Sequence, residues 1–131
     1  MTTLTEAQRR FLAEPNYGVV TTLRADGSPH STVVWVDVDD KGVPSFNTAR
    51  GRVKPSNLEH DPRVSLLVVG AGDFYRWLSL DGRVELTSEG AREQIDRLSR
   101  RYDGKPWRYV EGQERVTARI LPERVTAYGL P

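Results

Sequence analysis

A chain of 131 residues is long enough to bury one proper hydrophobic core. Its 19 Lys and Arg nearly balance 18 Asp and Glu, for a net charge of +1, which excludes the strongly basic footprint of a nucleic-acid binder. Cysteine is absent, which excludes disulfides and thiolate metal sites, and the longest apolar run, Leu66 to Val69, is far too short to cross a membrane. The N-terminus lacks a basic segment followed by an apolar one, so the expectation is a cytoplasmic, single-domain protein spanning 1–131 with no membrane or nucleic-acid partner and no metal.

Thr5 and Gln8 match a capping box, and Ala7, Phe11 and Leu12 share a helical face. Pro15 and Asn16 stop this helix. Tyr17 to Leu23 is β-branched and predicts a strand, and Ala25-Asp-Gly-Ser28 predicts a hairpin. In the next strand, Ser31 to Val38, Val34, Val36 and Val38 point one way and Val33, Trp35 and Asp37 the other. Its middle is apolar on both faces, which predicts a central position. Asp39 to Gly42 turns the chain into a third strand, Val43 to Thr48, so the three together read as a meander.

Thr48 to Leu58 then groups Arg50, Arg52 and Lys54 around Gly51, just before Pro55. Proline suits the first turn of a helix, and a helix start offers free N–H groups and partial positive charge. Cations added at that point make a candidate anion site. Gly51 permits close approach of a ligand, and Asn47 and Thr48 end a strand on the same side.

A short helix from Pro55 to His60 is followed by a strand, Val64 to Val69, a flexible Gly70 to Asp73, and a long strand, Tyr75 to Leu86, with Gly82 as a bulge candidate. Ser88-Glu89 reads as the cap of a helix with Ala91, Ile95, Leu98 and Tyr102 on one face and charges on the other. Gly104 and Pro106 end it. Arg115 to Leu121 alternates with Val116, Ala118 and Ile120 inward, and Pro122 reads as a turn into a last strand, Val125 to Tyr128. The prediction is a mainly β (α+β) fold: six or seven antiparallel strands in a Greek-key barrel, with three short helices. Such a barrel fills its interior with side chains, so a large ligand belongs outside it or at a subunit contact.

Gly18 to Thr32, then Asn47-Thr48, Lys54-Pro-Ser-Asn-Leu58 and Asp61-Pro-Arg-Val-Ser65, resemble the pyridoxamine-phosphate-oxidase-like split barrels. Arg115-Val through Ile120-Leu-Pro-Glu-Arg-Val125-Thr-Ala-Tyr-Gly129 is similar to the end of the same family, and the likeness is strongest to its branch using the deazaflavin coenzyme F420. The resemblance implies a homodimer with the cofactor at the subunit interface. It implies that Lys54 and Arg52 hold phosphate, with Asn47, Thr48 and the backbone at Val53 assisting. Arg50 joins them as a further cation for the longer anionic tail of a deazaflavin. The strand bearing His30, Thr32 and Val34 would lie along the ring, and Phe74, Tyr75 and Arg76 would border ring or substrate.

The implied activity is hydride transfer from reduced F420 to a small conjugated or quinone-like molecule. Tyr75 and Arg76 are the candidate donors, and the cofactor carries the chemistry. Two other readings stay open. One is an FMN enzyme of the pyridoxamine-phosphate-oxidase type; the other is a non-enzymatic carrier of a flavin, deazaflavin or haem-like ligand. His30 also reads as a hydrogen-bonding residue beside a turn. Trp35 and Trp77 read as packing or interface residues. Trp107 and Tyr109 either cover a pocket or pack on the barrel.

Overall fold

The computed structural model describes residues 2–131. In chain order the elements are α1 Glu6–Ala13, β1 Tyr17–Leu23, β2 Pro29–Val34, β3 Val36–Val38, β4 Pro44–Ala49, α2 Val53–His60, β5 Arg63–Val69, β6 Trp77–Thr87, α3 Ala91–Asp103 and β7 Arg115–Tyr128. The strands form one antiparallel sheet in the order β2-β1-β5-β6-β7-β4-β3. The count of seven strands and three helices falls within the six or seven strands and three helices expected, although two of the strand divisions differ.

The expected strand Ser31 to Val38 is two strands, and the meander does not form. β2 pairs with β1, β3 pairs with β4, and β4 pairs onward with β7. β2 and β3 are therefore the two edges of the sheet, not its centre. Only Trp35 separates them, so the two edges must meet at that residue, and the sheet curls into a split barrel. The curl lets one run of chain show apolar side chains on both sides. Val34 and Val36 enter the core, while Val33 stands 70% exposed. Gly18 lies where the closure is tightest, since a Cβ there would come within 2.4 Å of a Val36 methyl.

Alternation fills the barrel with Val20, Phe46, Leu66, Val68, Leu78, Leu80, Ala118 and Ile120, all essentially inaccessible to water. Phe11 and Leu12 of α1 join this core. The helix starts as predicted, because Thr5 and Gln8 cap each other's backbone N–H.

Pro122 does not break the chain in two. β7 runs through it for 14 residues. The pairing slips between Asp81 and Gly82, so that Pro122 lies opposite Gly82 and Glu123 is the extra residue. A bulge tolerates a proline that cannot donate to the ladder. Gly82 is required there, because a Cβ would sit 2.2 Å from the Leu121 carbonyl oxygen.

Two further boundaries differ. α3 begins from Gly90, whose φ of +74° starts the helix without a side-chain cap, rather than from Ser88-Glu89. β6 begins at Trp77, because residues 70–76 close a turn in which Gly70 and Arg76 bond through N–H and carbonyl at 2.8 Å. Among the described residues no helix is long and apolar enough to cross a membrane.

The outward face of the sheet carries a lateral row, Tyr17, Val69, Trp77 and Tyr128, each residue paired to the next across the strands. A second row, Val33, Val19, Leu67, Ser79 and Thr126, runs beside it. Trp77 stacks on Tyr128 with ring centroids 6.2 Å apart, and Phe74 stands exposed at the edge. The result is an apolar platform facing outward.

Candidate functional site

The β4–β7 ladder assembles the site. It sets Ala49 opposite Arg115 and Asn47 opposite Thr117, and the chain then turns sharply through Gly51, at φ +88°, into α2. α2 starts at Val53, two residues earlier than predicted, with Arg52 as an N-cap that makes no side-chain bond. Its first-turn N–H groups at Val53 and Lys54 have no partner among the described residues, and Pro55 has none to offer.

A cleft of about 270 Å³ opens beside this corner. One wall is apolar and aromatic, built from Val33, Val34, Trp35 and Leu98. The other presents Arg52, Lys54 and Arg115, with Asn47 between them. Trp35 stacks on Tyr102 of α3 at 5.6 Å and meets Trp107 edge-on at 6.3 Å. The tryptophan at the barrel's seam is thereby held against α3, and Trp107 lines the cleft.

The three cations make no ion pair among the described residues. Burial lowers the pKa of Lys54 from its ordinary value, and the neighbouring Arg52 and Arg115 lower it further. Burial, followed by Arg52, also brings Arg115 down from 12.5 to about 10. These directions mean that the charged cluster costs stability while no anion is present. Clustered positive charge with that cost is a device for binding a negative group.

Arg115 is the residue that sequence reasoning missed. It is 4% exposed, and its guanidinium lies 5.0 Å from the centre of the Trp107 ring. Its Nε donates to Asn47 Oδ1 at 2.9 Å. Asn47 in turn donates to the Ala91 carbonyl and to Gln94 Oε1. Gln94 also accepts from Thr117 and donates to Ser45 and Asp37. The amide of Asn47 is thus spent on orienting Arg115. The available signal was faint: Arg115 and Thr117 are polar on the face of β7 opposite Val116 and Ala118, which is where a polar helix face must pack.

Asp37 anchors the same network. It is 5% exposed and paired with Arg97 at 3.0 Å and Arg101 at 3.1 Å. Burial raises its pKa, but bonds from Arg101, Gln94 and Arg97 outweigh that and hold it below 3.8. A depressed carboxylate pKa stabilises the fold above 3.8, and the contribution is lost as pH falls through the folded value. Asp37→Asn should therefore cost about 1–2 kcal/mol at neutral pH. Urea denaturation of both proteins checks this, and the difference should shrink below the ordinary carboxylate range.

The other candidates are placed as follows. Arg50 turns out of the cleft to pair with Glu59 and with Glu114 at 3.7 Å. Thr48 is fully buried, and its hydroxyl has no partner. His30 and Thr32 lie on the barrel side of β2, opposite Thr22 and Val20, and do not line the cleft. His30 Nδ1 and Thr32 Oγ1 are buried without partners. Phe74, Tyr75 and Arg76 also lie outside the cleft of their own chain. Arg76 sits over the Phe11 ring at 5.2 Å and pairs with Glu14 at 3.8 Å.

A split barrel with an uncompensated cationic corner beside an aromatic wall presents a candidate site for a flat, anionic ligand. Residues 4–128 match the family model described as pyridoxamine 5'-phosphate oxidase. The chain belongs to that family, and two of its relatives are named as oxidoreductases. It is 36% identical over 104 residues to the F420H(2)-dependent biliverdin reductase of Mycobacterium tuberculosis, covering 77% of this chain and 74% of that one. It is 31% identical over 96 residues to pyridoxine/pyridoxamine 5'-phosphate oxidase of Salmonella paratyphi B, covering 72% of this chain but only 40% of that enzyme. A solved F420 reductase superimposes with a TM-score of 0.80 at 27% identity, over 94% of this chain and 98% of that one. A conserved hypothetical protein of Mycobacterium tuberculosis follows at 0.74 and 28%, over 96% and 85%.

Proposed function

We propose that this protein is an F420-dependent reductase that passes hydride from the reduced deazaflavin to a small conjugated or quinone-like molecule. The observation that carries the reading is the set of exposed Arg52, half-buried Lys54 and buried Arg115, mutually repelling and without a carboxylate partner among the described residues. The donor set fits a phosphate, with the unpaired N–H groups of Val53 and Lys54 beside it. The wall of Val33, Val34 and Trp35 suits a flat ring. The F420-dependent relative covers three quarters of this chain.

The coenzyme supplies the hydride when bound. The chain's part is to fix the phosphate, set the ring against β2 and keep water from the reacting face. We propose further that the apolar platform of Tyr17, Leu67, Val69, Trp77 and Tyr128 joins two copies. Such a dimer would give Phe74, Tyr75 and Arg76 a route to the partner's cleft, where Tyr75 or Arg76 could donate a hydrogen bond to developing negative charge. The family match keeps FMN as the second reading, since an FMN phosphate suits the same corner.

Titration with F420 and with FMN tests the choice. Tight F420 binding with weak FMN binding is the expected result, together with a rise in thermal midpoint, because a ligand that binds only the folded state stabilises it. Retention of FMN through dialysis, with no F420 binding, would reverse the assignment.

A further inference from the structure

We infer that a second cavity, beyond Arg115 and under the segment joining α3 to β7, receives the anionic tail of the deazaflavin, with Arg92 as its principal cation. This rests on the reading that the cationic cleft holds that coenzyme. The two cavities are neighbours, since Ile95, Trp107 and Arg115 line both. The second measures about 360 Å³ and adds Arg92, Glu93, Asp96 and Tyr109. A ligand with its ring against Val33 and Trp35 and its phosphate on Arg52, Lys54 and Arg115 continues past Arg115 into this space.

The charges there suit carboxylates. The Arg92 guanidinium lies 3.9 Å from the centre of the Tyr109 ring and makes no ion pair among the described residues. Arg115 lies over Trp107 at 5.0 Å, but its Nε and one Nη already donate to Asn47 and Gln113, which leaves Arg92 as the open cation of this cavity. A guanidinium stacked on a ring keeps its N–H edge free for a carboxylate. Of the two acidic residues in the cavity, Asp96 is already engaged, by Arg100 at 2.9 Å and by the Trp107 backbone N–H at 2.9 Å. Glu93 makes no ion pair among the described residues, and its charge opposes an anionic tail. Arg50, the cation expected on sequence grounds to serve the tail, is held by Glu59 and Glu114. Its role passes to Arg92. FMN ends at its phosphate and has nothing to place here, so the cavity also favours the longer coenzyme.

Fluorescence titration decides the matter, using F420 with several γ-glutamyl residues and the same coenzyme ending at its phospholactyl group. The wild type should bind the glutamylated form the more tightly, and Arg92→Ala should weaken that form by about fivefold while leaving the short form unchanged. Glu93→Gln should tighten the glutamylated form by about twofold. Equal affinity of the wild type for both forms, or an equal loss for both in Arg92→Ala, would overturn the tail site alone. Failure of both forms to bind the wild type would overturn the coenzyme reading itself, and the tail site with it. Arg92 is exposed on its helix, so a thermal midpoint matching the wild type is expected and confirms that the variant folds.

Discussion

Lys54→Ala should weaken F420 binding by about 1.5–3 kcal/mol, roughly ten- to a hundredfold, without lowering the stability of the ligand-free protein. The two halves of this result have one cause. Lys54 is surrounded by burial, Arg52 and Arg115, all of which disfavour its charge. Its folded pKa lies below 10.5, so the charged form costs stability at lower pH, and the cost vanishes as pH rises through the folded value. Removing the amine removes the repulsion, so the ligand-free thermal midpoint should stay level or rise. Removing it also deletes a charged hydrogen bond to phosphate, so affinity falls. A purely structural lysine would give the reverse pattern: a lowered midpoint and an unchanged dissociation constant. The same logic fixes the pH dependence. Wild-type affinity should decline on the alkaline side as Lys54 loses its proton, and the Lys54→Ala protein should show a shallower decline there, the part that Arg115 contributes.

Leu67→Glu should turn the proposed dimer into a monomer, raising the dimer dissociation constant by about a hundredfold or more, because like charges would face each other in a desolvated interface. Leu67 sits in the middle of the outward platform, between Val19 on β1 and Ser79 on β6. It is 39% exposed in the single chain and takes no part in the barrel core, so the barrel should survive the change. Sedimentation at micromolar concentration reads the association state, and near-ultraviolet circular dichroism reports whether packing is retained. A variant that remains dimeric would place the interface on another face. If the platform is the interface, the monomer should also lose coenzyme turnover, since Tyr75 and Arg76 lie outside the cleft of their own chain.

Much of the barrel was legible residue by residue. The capping box at Thr5 and Gln8, the turn at Asp26-Gly27 and the alternation of Val64 to Val69 are local signals, and each produced its element. The errors share one origin. Val33, Val34, Trp35 and Val36 form an apolar run that reads as a central strand, whereas the chain divides there between two sheet edges. Pro122 reads as a turn, whereas a glycine on the neighbouring strand absorbs it in a bulge. Period-two patterning records which side chains avoid water, but not which strand lies alongside.

The site was partly visible for the same reason. Arg52 and Lys54 stand out because a strand, a glycine and a helix start follow one another along the chain. Arg50 stood out equally, yet Glu59 and Glu114 neutralise it across space. Arg115 carried no local mark, because its neighbours in the site are some sixty residues away along the chain.

The order of amino acids alone determined the three helices, the capping of α1, most of the strands and the cationic character of the corner between β4 and α2, because those depend on neighbours within a few residues. Tertiary structure alone decided which cations remain unpaired, how Gln94 and Asn47 orient Arg115, and which side chains line the cleft. Charge compensation acts through space, and only the closed barrel brings β7 and α3 to the end of β4.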